Sequence, residues 1–71
     1  MTEIVFLVEE DLVDGGYVAR ALSQGITTQA ETIAELKEEI KDALRCHFDR
    51  PADIPHLIRL HYVKDEVMVF A

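Results

Sequence analysis

The sequence has 71 residues, 49% of them hydrophobic, with 14 acidic against 7 basic side chains and a net charge of −7. That length fits one domain, residues 1–71, near the size at which a single core barely offsets the entropy of ordering the chain; the lone Cys46 excludes an internal disulfide staple. The charge has the wrong sign for direct nucleic-acid reading, which needs a basic face to displace phosphate counterions, and suits either solubility or the steering of a basic partner.

Met1-Thr2-Glu3 holds no basic leader, and Ile4-Val5-Phe6-Leu7-Val8 is too short for a signal or membrane segment, so a cytoplasmic protein away from membranes is expected. The same five residues are a continuous run of β-formers between acids. Continuity without alternation predicts a central strand buried on both faces. Asp14-Gly15-Gly16 is a hairpin turn signal, because glycine reaches positive φ at little cost. Tyr17–Leu22 reads as the returning strand, Ser23-Gln24-Gly25 as a second turn, and Ile26–Ala30 as a third, more polar strand. Three strands joined by tight turns make an antiparallel meander.

The pattern changes at Thr32. Thr32-Ile33-Ala34-Glu35 has the form of a capping box, with the hydroxyl accepting from the amide three residues on and the glutamate reaching back. Ile33, Leu36, Ile40, Ala43, Leu44 and Phe48 then recur at helical spacing, which predicts a helix from about Ile33 to Phe48 with one stripe on a core. Pro51 disfavours helical geometry at Arg50 and ends it. After a connector to Pro55, Leu57–Val63 alternates, with Ile58, Leu60 and Tyr62 on one side and Arg59 and His61 on the other. Val67–Phe70 is a further β-prone run, either returning in a hairpin or continuing one bent strand. The fold class is therefore α+β, in the order β-β-β-α-β, with one helix on a three- to five-stranded mixed sheet. A crossover that returns the chain parallel to the first strand is expected to be right-handed. The second sheet face lacks a cover, so that face or a sheet edge is where self-association or docking is expected.

No catalytic set emerges. Cys46, His47, His56 and His61 lack the paired spacing of a zinc site; His47 suits the helix C-terminus, where a cation is favoured, and His61 a polar strand face. Neighbours on a helix point about 100° apart, so His47 is poorly placed as a base for Cys46, which reads as a part-buried structural cysteine. Glu9-Glu10-Asp11 and Glu38-Glu39 are solvated acids without the burial that separates the pKa values of a catalytic pair. Asp14-Gly15-Gly16 is no phosphate loop. No enzyme activity, catalytic residue, metal or cofactor is expected.

Gly15-Gly16-Tyr17-Val18-Ala19, then Gly25 and Thr28, then Ala30-Glu31-Thr32 with Ala34-Glu35-Leu36 and Glu39-Ile40-x-x-Ala43, resembles the HicB-like antitoxin domain. The resemblance runs from about Gly15 to Leu44. It implies the partial ribonuclease H-like β-β-β-α-β fold and the binding of a small basic, HicA-like, RNA-cleaving toxin whose active site would be masked. The acid surplus would then pair with a surface built to hold phosphate. Two departures limit the carry-over. Leu22-Ser23-Gln24-Gly25-Ile26 stands where the family has a proline-glycine-cysteine stretch, and no C-terminal DNA-binding segment is expected, so binding should mean protein and not operator DNA. Nor does the fold carry nuclease chemistry, since the strands present Val, Ile and Ala where carboxylates would have to converge. The expected contact residues are Glu9, Glu10 and Asp11 at one corner and Glu35, Glu38, Glu39 and Asp42 on the helix, each of which could equally be plain solvated surface. Homo-oligomerisation is expected. The alternatives are a stand-alone homo-oligomeric regulatory or structural domain, and a minor subunit of an enzyme complex.

Overall fold

A computed structural model describes residues 3–70. Strand β1 (Glu3–Glu10), β2 (Tyr17–Ala21) and β3 (Ile26–Ala30) form the meander, helix α1 (Ile33–His47) follows, and β4 (Leu57–Val63) closes the sheet after a short 3-10 turn at Pro51–Asp53. The strand order is β3-β2-β1-β4. β1 and β2 are antiparallel, as are β2 and β3, whereas β4 lies parallel to β1 with Ile4 opposite Ile58, Phe6 opposite Leu60 and Val8 opposite Tyr62. The mixed α+β sheet with one helix agrees with the expected fold.

Period-2 alternation decides which side chains meet α1. Ile4, Phe6 and Val8 of β1, Ala19 and Ala21 of β2 and Ile26 of β3 are buried against Leu36, Ile40 and Leu44 of α1. The two alanines leave room for the helix to approach the middle of the sheet. One expectation for β1 fails here: Val5 is 48% exposed and Leu7 only half-buried. A single helix supplies one covering layer, so the second face of this central strand stays open despite its apolar run. That open face is crossed by two ion pairs, Arg59 with Glu3 and Arg20 with Glu9. Hydrogen bonding and attraction from Glu3 raise the Arg59 pKa above its ordinary value, but the pair is exposed and adds little to stability.

The helix begins as its sequence dictates. Thr32 is extended (φ −127°) and its Oγ1 accepts from the Glu35 amide at 3.1 Å. Among the described residues the Glu35 carboxylate makes no return bond to Thr32, so half of the capping box forms and the carboxylate stays exposed. Thr32→Ala should cost about 1 kcal/mol, read as a lower urea midpoint at unchanged slope; Thr32→Ser should restore most of it. At the other end Phe48 is extended and donates its amide to the Leu44 carbonyl, which ends the helix one residue before the expected Phe48. Arg50, ahead of Pro51, is extended too (φ −121°, ψ 135°), as a pre-proline residue should be. The His47 and Phe48 rings meet edge to face at 5.0 Å. Cys46 is exposed, not part-buried, because its position on α1 falls off the Leu36-Ile40-Leu44 stripe.

Beyond Val63 the chain runs on without joining the sheet. Residues 64–70 form neither the hairpin nor the continued strand that Val67–Phe70 allowed, and Val67, Met68, Val69 and Phe70 are 90%, 83%, 88% and 102% exposed. Lys64-Asp65-Glu66 contains no glycine or asparagine to supply the positive φ of a tight hairpin loop.

Candidate functional site

The β1–β2 connection is built around Asp11. Its Oδ1 accepts from the Val13 and Asp14 amides at 3.0 and 3.1 Å, its amide donates to the Gly16 carbonyl, and its carbonyl accepts from Gly15. Gly15 and Gly16 stand at φ 81° and 82°. Gly16 lies so close to β3 that a Cβ there would sit 2.5 Å from the Ala30 oxygen and 3.1 Å from the Glu31 Cα. This contact sets the loop beside the β3–α1 junction, and a cleft of about 850 Å3 opens between them.

The cleft is acidic. Asp11, Asp14, Glu31, Glu35, Glu38 and Glu39 line it, over a floor that includes Tyr17, Val18, Ala30 and Ala34, and no Lys or Arg is among the lining residues. Glu31, Glu35, Glu38 and Glu39 are exposed, so the acids line the rim of the cleft in contact with solvent. Of the seven expected contact residues the structure brings four together here: Asp11, Glu35, Glu38 and Glu39. Asp11 is half-buried and one of its oxygens is committed to the loop. Glu38 also reaches Lys41 at 3.0 Å.

The other three lie elsewhere. Glu9 sits on the open sheet face, 3.7 Å from Arg20, because its parity is opposite to that of Val8. Glu9 and Glu10 border a separate depression near Tyr62 and Lys64. Asp42, a turn beyond Glu38 on α1, is bound to Arg45 at 2.6 Å. Asp14 and Glu31 belong to the cleft although the sequence marked one only as a turn residue and the other only as the residue before the cap. Among the described residues no three His, Cys, Asp or Glu side chains converge to hold a metal ion, and no helix is long and apolar enough to cross a membrane.

No protein-family model matches the chain, and no solved structure matches it. Two curated proteins do. A UPF0150 protein of Archaeoglobus fulgidus is 56% identical over 46 residues, covering 65% of this chain and 67% of its own. A UPF0150 protein of Thermotoga maritima is 46% identical over 63 residues, covering 89% of this chain and 86% of its own. With identity of that order over two thirds or more of each relative's length, the chain belongs to the UPF0150 family.

Proposed function

We propose that the chain is an antitoxin-like protein-binding module of HicB-like type, without catalytic activity, which neutralises a small basic HicA-like RNA-cleaving toxin by covering its active site. The observation that carries this reading is the cleft walled by Asp11, Asp14, Glu31, Glu35, Glu38 and Glu39 with no basic residue. A protein that cleaves RNA must present positive charge where phosphate sits; an acidic cleft with an apolar floor complements that surface and competes with the RNA for it. Membership of the UPF0150 family and the HicB-like pattern from Gly15 to Leu44 support the same reading.

The test is co-expression with a small basic HicA-like protein, scored by restored growth and by co-purification. Glu35→Lys, Glu38→Lys and Glu39→Lys combined should weaken the complex by roughly 10- to 100-fold, about 1.4–2.8 kcal/mol, and abolish protection. Asp42→Lys, outside the cleft, should leave both nearly unchanged. Wild-type affinity should fall steeply with added salt. A folded triple variant that still protects cells as well as wild type would sink the cleft as the docking surface.

A further inference from the structure

The apolar tail and the free edge of β4 are complementary, and we infer that two copies of the chain exchange their C-terminal segments, Val67–Phe70 of each pairing antiparallel along β4 of the other. β4 is an outer strand of the sheet, paired on one side only. Its helix-facing residues are poorly covered: Ile58 is 37% and Tyr62 53% exposed, and Ile58 and Leu60 border a groove of about 710 Å3 whose other wall is Ile33, Ala34, Lys37, Glu38, Ile40 and Lys41 of α1. A bare edge with an apolar groove beneath it is a template for an added strand.

The occupant is written in the same chain. Residues 64–70 extend from the end of β4 and stretch the molecule to 55 Å against 20 Å and 18 Å in the other directions. Lys64-Asp65-Glu66 has neither glycine nor asparagine and only Asp65 to favour a turn, so a fold back onto its own β4 is poorly supported, whereas a second copy accepts the tail without a turn. Parity then selects the side chains. Ile58, Leu60 and Tyr62 face α1, so in a chain that continues extended, Glu66, Met68 and Phe70 share that face. A two-fold axis at Lys64 sets Met68 opposite the partner's Leu60 and Phe70 opposite the partner's Ile58, the two largest tail residues filling the groove. By the same parity Glu66, set opposite the partner's Tyr62, shares the groove face with Lys37, which makes no ion pair among the described residues, whereas Asp65 falls on the open face and Lys41 is already paired with Glu38. The arrangement is isologous and closed, so it stops at a dimer. Ala34 and Glu38 border both this groove and the acidic cleft, while Asp11, Asp14, Glu31, Glu35 and Glu39 of the cleft lie outside the groove.

Mass in solution tests the inference on the full chain by sedimentation or light scattering across micromolar to near-millimolar concentration. Wild type should run at twice the chain mass. Met68→Asp with Phe70→Asp, and separately a chain ending at Glu66, should raise the dissociation constant roughly hundredfold or more with unchanged circular dichroism, since the tail touches none of the core. In a Cys46→Ser background, Leu60→Cys with Met68→Cys should oxidise to a covalent dimer. A wild-type monomer throughout, a dimer untouched by either tail change, or a disulfide closed within one chain would each overturn the exchange; a groove used only by a different protein would show as the first of these. Toxin protection is a separate readout, so its failure would count against the proposed function and not against the dimer.

Discussion

Phe6→Ala should be the most damaging single core change, removing about 3–5 kcal/mol of stability. A chain of this size has roughly 4–10 kcal/mol to lose, so the change removes about a third or more of the total, and at the low end of that range the variant would be mostly unfolded at 25 °C. The reason is position. Phe6 is 0% exposed, in the central strand β1, opposite Leu60 on one side and in the cluster with Leu36, Ile40 and Leu44. Its neighbours there include alanines, Ala19 and Ala21, which cannot grow into the hole. Val5→Ala, one residue away on the open face, is the control: at 48% exposure it should cost no more than about 1 kcal/mol. Urea unfolding of both at one fixed protein concentration gives the comparison, the concentration being fixed because any self-association adds to apparent stability. Equal losses for the two variants would mean that the second sheet face is covered after all.

How much of the fold is legible in the residues follows from how local each signal is. The helix was legible because the Thr32 cap and the Leu36-Ile40-Leu44 stripe are properties of one segment, and the meander because glycines punctuate it. β4 was legible as a strand by its alternation. That β1 is covered on one face was not, because Ile4–Val8 is apolar throughout and a run of β-formers does not say how many layers exist to cover it. The same gap explains the tail: Val67–Phe70 has the composition of a strand, but strands need a partner, and within one chain no turn brings it to an edge. The acidic cleft was half legible. Glu35, Glu38 and Glu39 share a helix face by spacing alone, whereas Asp14 and Glu31 join them only because the β1–β2 loop is set against the end of β3. Glu9 stands apart from the cleft because strand parity sends it to the opposite face of the sheet from Val8.

The contact that assembles the cleft makes Gly16→Ala the second large effect, a loss of roughly 2–5 kcal/mol. Two penalties combine. At φ 82° an L-side chain is strained by about 1–2 kcal/mol. The new Cβ would also stand 2.5 Å from the Ala30 oxygen, a backbone atom that cannot swing aside, at the point where Tyr17 and Ala30 pair. Relief requires the loop to move away from β3, which would stretch the bond from the Asp11 amide to the Gly16 carbonyl, 2.9 Å long, and pull Asp11 and Asp14 from Glu31 and Glu35. Gly15→Ala separates the two penalties: φ is 81° but nothing lies within 4 Å of its Cβ, so only the conformational cost of about 1–2 kcal/mol applies. Gly15→Asn should cost less again, because asparagine tolerates positive φ. Urea midpoints at constant slope rank the three. If Gly16→Ala proved no worse than Gly15→Ala, the loop could leave β3 freely, and the acids it carries would not be held in the cleft. If the ranking holds, Gly16→Ala should also weaken binding of a basic partner even where the variant remains folded, because it opens the cleft without changing its charge.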